Sequence, residues 1–273
     1  MVSNTKEIAL EQAIQKHLAA WTSEELAGQP QPDDPTKYRI GNPADFDAQY
    51  AIDTKLFWEF LEKTQGKELA KLKTRNPSDW ERKILERFDR LIKKHGVLHL
   101  LKKGLQVDDA FFALMYPAPL ASSSVKVHDN FAANIFSVTR QLRYSLANPL
   151  EEIDMVLFVN GLPLVTLELK NAWTGQTARY HGQKQYRDDR DTTQTLMQFG
   201  RALVHMAVDT DEVFMATKLA GSATYFLPFN KGHNLGEGNP PNPNGHKTAY
   251  LWEEVFQKES LAGIIQHFVL LEG

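Results

Sequence analysis

The order of apolar patterns along this 273-residue chain predicts an α/β fold, with a central mixed β-sheet flanked by helices. Helical patterns dominate the first hundred residues, a cluster of strand patterns follows, and helix and strand patterns then alternate. The clearest strand signal is a hairpin at residues 153–170, IDMVLFVNGLPLVTLELK, in which two apolar runs flank an Asn160-Gly161 turn.

The first part of the chain is predicted to be a helical accessory region. Apolar residues at helical spacing predict helices at 6–21, 55–73, 79–95 and 96–103, with Thr5 as a cap of the first. Residues 28–41 are rich in Pro, Asp and Gln and predict a loop. Aromatic and β-branched residues then predict strands at 107–116 and 134–144.

Beyond the hairpin, a polar stretch at 171–191 is predicted to be helical in its second half. A helix is predicted at 196–207, strands at 212–219 and 224–229, and a final helix at 250–271. Between them, the Pro/Gly/Asn-rich residues 232–245 predict a loop.

Three ionisable residues interrupt the apolar hairpin: Asp154, Glu168 and Lys170. A buried strand pair rarely contains two carboxylates and an ammonium unless their charges are compensated. Because side chains alternate along a strand, Glu168 and Lys170 share one face. The other face is predicted to pack on the core through apolar residues, namely Ile153, Met155, Leu157, Val165, Leu167 and Leu169.

The position of Asp154 depends on the hairpin register. If Asp154 pairs with Glu168, either the loop has three residues or one strand carries a bulge. A plain two-residue Asn-Gly turn would instead place Asp154 on the face opposite Glu168. A functional cluster therefore requires the odd-length loop or the bulge.

The chemistry that suits these three residues is phosphodiester hydrolysis. Asp154 and Glu168 offer the hard oxygen ligands that Mg²⁺ prefers, and so does the backbone carbonyl of Leu169, which lies between Glu168 and Lys170 in the sequence. Such a metal polarises a phosphate and lowers the pKa of an attacking water, and Lys170 would orient that water or stabilise developing charge. The alternative is a structural ion pair, since a loose D…E-x-K pattern is common by chance.

Composition excludes several classes of protein. The absence of cysteine rules out disulfides, thiolate metal sites and a cysteine nucleophile, and fits a cytoplasmic protein. No apolar stretch approaches the length of a membrane span. With a net charge of −3, any contact with nucleic acid must come from a local patch or depend on a partner.

The stretch that follows the hairpin, GQTARYHGQKQYRDDRD, is dense in Gln, Tyr and Arg. Either Gln176 with Tyr180, or Gln183 with Tyr186, would share one helical face. Candidate phosphate contacts are Lys184, Arg187 and Arg190, and also Arg140 and Arg143 ahead of the hairpin. The alternatives are a solvated helix face and, for Arg140 and Arg143, ordinary edge-strand arginines.

Taken together, several segments resemble the restriction (R) subunit of type I restriction–modification enzymes. They are SVTRQLRYS, IDMVLFVNGLPLVTLELKN, WTGQTARYHGQKQYRDDRD, FGRALVHMAVDTDEVFMATKLAG, FLPFNKG and TAYLWEEVFQKESL. The resemblance runs from about residue 45 to the end and is densest from Ser137. It implies a restriction-endonuclease-like PD-(D/E)xK core in which Asp154, Glu168 and Lys170 form the nuclease triad, with Mg²⁺ as cofactor.

The resemblance also implies roles outside the triad. The family often carries Gln-x-x-x-Tyr on the helix after the triad, and Tyr186 matches the tyrosine, but Gly182 stands at the glutamine position. Gln183 or Gln185 would substitute for that glutamine, or Gln176 and Tyr180 would take the role. In related nucleases a glutamate of an N-terminal helix touches the metal, and Glu11 is the candidate here.

The resemblance divides the chain into a nuclease domain at 1–235 and a loop and helix at 236–273 that lead toward a translocase. Within the first part, the accessory region would span about 1–105 and the catalytic core about 106–235.

We therefore expect a Mg²⁺-dependent endonuclease domain that cuts double-stranded DNA without sequence preference. Modification and specificity subunits would be its partners, and ATP would act only in the translocase. The alternatives are a stand-alone recombination or repair nuclease and a non-catalytic docking module.

Overall fold

The computed structural model describes residues 2–171 and 175–270, with side chains from Ile8 onward. Its helices are α1 (Val2–Ala19), α2 (Ser23–Leu26), α3 (Thr54–Arg75), α4 (Trp80–Lys103), α5 (Val125–Ala132) and α6 (Lys258–His267). Single 3₁₀ turns lie at Pro43–Asp45 and Thr195–Met197. A further helical segment with π-type turns covers residues 178–189 and is called the site helix below, and another π turn covers Leu251–Val255.

The strands form a seven-stranded mixed sheet and two short hairpins. The strands are β1 (Arg39–Ile40), β2 (Phe46–Asp47), β3 (Ile52–Asp53), β4 (Leu105–Val107), β5 (Ala110–Phe112), β6 (Phe136–Arg143), β7 (Glu152–Val159), β8 (Leu162–Leu169), β9 (Val204–Val208), β10 (Val213–Ala216) and β11 (Leu227–Pro228). The order in the main sheet is β1-β6-β7-β8-β9-β10-β11, in which β1–β6 and β8–β9 are parallel pairs. The predicted central mixed sheet flanked by helices is confirmed.

Each face of the sheet packs on its own apolar cluster. The larger cluster joins the sheet to α1, α3, α4 and the C-terminal segment, and α1 contributes Leu10, Ile14 and Leu18, which recur every four residues along one helical stripe. The smaller cluster lies on the other face, under the site helix, and includes Val156, Phe158 and Tyr186. Residues at the centre of the sheet are therefore covered on both sides.

The hairpin β7–β8 combines a two-residue turn with a bulge. Asn160 and Gly161 form a two-residue turn with φ of 50° and 79°, the conformation that a tight hairpin requires. A bulge then shifts the register, because Phe158 pairs with Pro163 whereas Leu157 pairs with Val165. The three-residue loop is wrong and the bulge is right. Continued along the strands, this register sets Asp154 opposite Glu168.

One residue of the predicted apolar face, Ile153, lies on the opposite face of the sheet from the others. Ile153 pairs with Leu142 and lies in the smaller cluster, whereas Met155 lies in the larger one. The change of face coincides with Gln141, whose φ of 51° interrupts the regular alternation of β6 opposite Asp154.

The predicted helix at 196–207 is wrong. Its second half is strand β9, parallel to β8 and buried on both faces, and such strands have continuous apolar runs that resemble a buried helix in sequence. The helix predicted at 250–271 is instead the π turn followed by α6, and Leu271 lies outside the described residues, as do residues 172–174 of the polar stretch.

Residues of the predicted accessory region, catalytic core and C-terminal segment share the larger cluster. The boundaries at about 105 and 235 stay predictions. Within the described part of the chain, no helix has the length and apolar character needed to cross a bilayer.

Candidate active site

The three ionisable residues of the hairpin come together at its open end. The Asp154 carboxylate accepts a hydrogen bond from the Leu169 backbone N–H, with 2.6 Å between Oδ2 and the nitrogen. The Lys170 ammonium lies 3.9 Å from the same Oδ2. The negative charge of Asp154 also contributes to raising the pKa of Glu168, which places the two carboxylates within electrostatic range of each other.

Glu168 is completely buried, and its two oxygens have different surroundings. Oε1 accepts a hydrogen bond from Nε of Arg190 at 2.7 Å and forms an ion pair with Nη2 of the same side chain at 2.5 Å. Oε2 is buried without a hydrogen-bond partner among the described residues. Burial first, and then the nearby charge of Asp154, raise the pKa of Glu168 to about 8, against the opposing effects of Arg190 and Lys170.

Lys170 is held by the strand that carries it. Its ammonium donates to the Leu169 carbonyl at 3.0 Å, and its side chain is only 6% exposed. Its backbone N–H is donated to the Val208 carbonyl of β9, which ties the end of β8 to the neighbouring strand. The ammonium is therefore fixed beside Asp154, and can stabilise negative charge or orient a water there.

The donor atoms at this point suit a hard divalent cation. Two carboxylates and a backbone carbonyl supply oxygen ligands, and the unpartnered Glu168 Oε2 is a buried acceptor that a cation would satisfy. Across the described residues, no group of three or more histidine, aspartate or glutamate side chains is arranged to hold a metal. Any cation here would complete its shell with the carbonyl and water.

The site helix begins where two side chains cap it. The Thr177 hydroxyl accepts from the Tyr180 N–H at 3.3 Å, and the buried Asp209 carboxylate accepts from the Ala178 N–H at 2.7 Å. Wide π turns change the spacing of the inward face, which recurs every fourth residue through Ala178, Gly182, Tyr186 and Arg190. This spacing brings Arg190 to Glu168.

Tyr186 lies in the core below the triad. Its hydroxyl and the Thr166 hydroxyl are 2.8 Å apart, and Thr166 is in turn 2.7 Å from Nδ1 of the buried His205 on β9. Burial raises the pKa of Tyr186 well above its usual value and lowers the pKa of His205 to about 4. This chain of uncharged groups joins the site helix to β8 and β9, two residues before Glu168.

Arg140 points to the opposite face of the sheet, toward α1. Its side chain is 7% exposed, and its guanidinium lies 2.9 Å from both the Glu11 and the Glu24 carboxylates. Burial is the main reason that the pKa of Glu11 rises to about 7, and the charge of Asp154 adds to the shift although Arg140 opposes it. Glu11 is thus electrostatically coupled to the candidate site, but its carboxylate is bonded to Arg140.

Comparison with protein families assigns the chain to a family. The family described as type I restriction enzyme R protein N terminus matches residues 6–224. This chain belongs to that family. A comparison with curated proteins gave no match. The family's name points to a restriction endonuclease. The three residues that the sequence predicts as a nuclease triad lie within the matched range of this R-protein N-terminal region.

The structure places three of the predicted supporting or DNA-contact residues of this R-protein region in its interior. Tyr186 is fully buried, so it supports the core and cannot reach a phosphate in this structure. Arg140 is not a surface cation, because its guanidinium is paired internally with Glu11. Arg190 is also paired internally, with Glu168.

Other predicted contacts lie nearer the surface of the site helix. Lys184 is exposed and pairs with Asp188 at 3.2 Å. The half-buried Arg187 donates to the Thr224 carbonyl at 3.0 Å and lies over the Phe226 ring. Arg143 is exposed at the end of β6. Their phosphate contacts stay predictions.

The missing family glutamine has a packing explanation. A Cβ added at Gly182 would lie 2.9 Å from the Cβ of Ala207 and 3.6 Å from Cγ of Lys170, so the helix touches β9 at this point. Gln183, the next residue, is buried, whereas Tyr180 is 71% exposed. Of the two candidate pairs, Gln183 with Tyr186 lies inward, and Tyr180 of the other pair faces solvent.

Sequence reasoning missed three residues that surround the triad: Tyr144, Thr166 and His205. The Arg190 guanidinium lies 5.8 Å from the centre of the Tyr144 ring, and Thr166 and His205 carry the hydrogen bonds to Tyr186. Thr166 lies two residues before Glu168 and therefore on the same face of β8, which was a signal in the sequence. His205 was hidden because its segment was predicted to be a helix.

Proposed function

We propose that this chain is the metal-dependent endonuclease region of a type I restriction enzyme R subunit, and that it hydrolyses double-stranded DNA. The observation that carries the proposal is the convergence of Asp154, Glu168 and Lys170 at the open end of one hairpin, with the buried Glu168 Oε2 unpartnered among the described residues. A buried acceptor without a donor is costly, and a cation would remove that cost.

In this proposal Asp154 and Glu168 hold a Mg²⁺ ion, and the Leu169 carbonyl contributes a third oxygen. The bound ion would polarise the scissile phosphate and lower the pKa of the attacking water. Lys170, fixed 3.9 Å from Asp154 and 3.0 Å from the Leu169 carbonyl, positions that water by hydrogen bonding and stabilises the charge that develops on the phosphate.

DNA binding is proposed to be independent of sequence and to use phosphate contacts, with Lys184 and Arg187 on the site helix as the nearest candidates. A net charge of −3 gives the chain little general attraction for DNA, so delivery by partners is part of the proposal. We assign that delivery to an ATP-dependent translocase and to modification and specificity subunits. The cytoplasmic location stays a prediction.

The test is plasmid cleavage by the R subunit assembled with its partner subunits, with and without Mg²⁺. Asp154→Ala should lower the rate of cutting by about a hundredfold or more, the scale on which loss of an electrostatic stabiliser acts. Glu152→Ala, two residues earlier on the same strand and exposed, is the matched control and should cut normally. Undiminished cutting after Asp154→Ala would refute the assignment.

A subunit-docking module is the second candidate, and one observation favours it. Arg190 already contacts Glu168 at 2.5 Å, as an arginine does in a purely structural pair. Under this reading, Asp154→Ala and chelation of Mg²⁺ would both leave cutting unchanged, because the nuclease centre would lie elsewhere in the complex. Assembly of the subunits, measured by co-elution, would be retained in Asp154→Ala. A stand-alone repair nuclease is disfavoured by the family match.

A further inference from the structure

Arg190 binds Glu168 in an asymmetric way. Both guanidinium contacts, from Nε at 2.7 Å and Nη2 at 2.5 Å, go to Oε1 of the carboxylate. Oε2 receives no hydrogen bond within the described part of the chain, although it is completely buried. An arginine facing a carboxylate more often contacts both oxygens, so this arrangement leaves one oxygen unused.

Both side chains of this pair, Arg190 and Glu168, are held by their surroundings. The Arg190 side chain is 9% exposed and Glu168 is not exposed at all. Arg190 ends the site helix, where its backbone N–H is donated to the Gln185 carbonyl, and its guanidinium lies 5.8 Å from the centre of the Tyr144 ring. The helix, the ring and the strand together fix the rotation of the Glu168 carboxylate.

We propose that Arg190 is a positioning residue, which holds Oε1 of Glu168 so that Oε2 alone is presented to the divalent cation. This inference rests on the proposed function. Arg190 would then act on the metal through Glu168, rather than on DNA. Outer-shell groups that hydrogen-bond a ligating carboxylate typically alter metal affinity 10–100-fold when they are removed.

If Arg190 instead competed with the cation for Glu168, the expected change in metal affinity would have the opposite sign. If the cation had to displace Arg190 from the carboxylate, removing the guanidinium would tighten metal binding. If Arg190 orients the carboxylate, removing it weakens metal binding. The sign of the change in metal affinity therefore separates positioning from competition, without any measurement of cleavage.

The experiment measures the Mn²⁺ dissociation constant of the whole chain by electron paramagnetic resonance, in the absence of DNA. Arg190→Ala should weaken binding about 10–100-fold, and Arg190→Lys should recover part of that loss, because one ammonium replaces two N–H groups. Arg187→Ala, one turn earlier on the same helix and bonded to Thr224 rather than to Glu168, is the matched control and should bind as the wild type does.

Unchanged or tighter Mn²⁺ binding by Arg190→Ala would overturn the inference while leaving the proposed function intact. If Arg190→Ala does not fold, Arg190→Lys alone decides, since it should bind at least about threefold more weakly than the wild type. Failure of the proposed function is recognised differently. In that case the wild type and Asp154→Asn would show the same Mn²⁺ binding, or none.

Discussion

At the scale of single residues, the buried Glu168 should make stability depend on pH. Its pKa is raised from 4.5 to about 8, so the folded state holds a proton that the unfolded state has lost between these values. The free energy of unfolding should therefore fall as pH rises through this window. Glu11, with a pKa of about 7, and Asp53, with a pKa of about 6, act in the same direction at lower pH.

His205 opposes these acids, since its pKa is lowered from 6.5 to about 4 and its contribution is lost as pH falls through that range. Glu168 is therefore best observed between pH 7 and pH 8. Urea unfolding without divalent cations should show a fall approaching about 1.4 kcal/mol per pH unit there. Glu168→Gln should flatten the dependence, and an equal slope in that variant would show that another group titrates.

Arg140 offers a second test at this scale, because it is the buried counter-ion of Glu11. Arg140→Met should lower the free energy of unfolding by about 3 kcal/mol at pH 8, because the group that lowers the pKa of Glu11 is lost and the buried carboxyl must either stay charged and unpaired or take up a proton. The loss should shrink below pH 7, where Glu11 takes up a proton. Arg143→Met, on the same strand but 66% exposed, should change stability by less than about 0.5 kcal/mol.

The outcome that would count against this account is an equal loss at pH 6 and pH 8. Such a result would mean that the methylene packing of Arg140, rather than its charge, carries the effect. The double variant Arg140→Met with Glu11→Gln supplies the matching check. It should recover much of the stability lost by Arg140→Met alone, because no buried charge then remains unpaired.

At the scale of elements, the close contact between the site helix and β9 constrains Gly182. Gly182→Ala adds a Cβ that would lie 2.9 Å from the Cβ of Ala207. This clash should destabilise the fold by about 1–3 kcal/mol. Adding Ala207→Gly should relieve the clash and restore part of the loss. Gly66→Ala, on α3 with nothing within 4 Å, is the control and should be neutral or slightly stabilising. A Gly182→Ala variant as stable as the wild type in thermal melts would contradict the packing.

Elements also show where sequence reasoning succeeds and fails. The hairpin was predictable because the Asn-Gly turn and the two apolar runs beside it are local signals. Requiring Asp154 beside Glu168 left either an odd-length loop or a bulge, and the structure has the bulge. The position of that bulge, at Leu164, has no local signal. Strand β9 was missed because its two covered faces remove the alternation by which a strand is recognised.

The same distinction applies to the candidate site. The triad was predictable because charged residues stand out within apolar strands. The partners of Arg140 and Arg190 were not, since Glu11 is more than a hundred residues from Arg140 in the chain and the π turns of the site helix alter which residues share a face. Long-range packing decides whether an arginine meets a phosphate or an internal carboxylate.

At the scale of the whole molecule, the open end of the hairpin is where elements from distant parts of the chain meet. β8 carries Glu168 and Lys170, the site helix carries Arg190 on one face of the sheet, and α1 carries Glu11 on the other. Asp154 raises the pKa of both Glu168 and Glu11, so the carboxylates repel one another across the sheet. A cation bound at this point would stabilise the assembled fold rather than one element.

Metal should therefore raise the melting temperature of the whole chain. A ligand that binds only the folded state adds about 1.4 kcal/mol to the unfolding free energy for each tenfold excess over its dissociation constant. Calorimetry should show one transition that moves upward with added Mn²⁺ and returns after chelation. In Asp154→Asn the shift should be lost, while Glu152→Gln, a matched exposed carboxylate, should keep it. An equal shift in Asp154→Asn would place the stabilising cation elsewhere, and would remove the metal from the proposed chemistry of this hairpin.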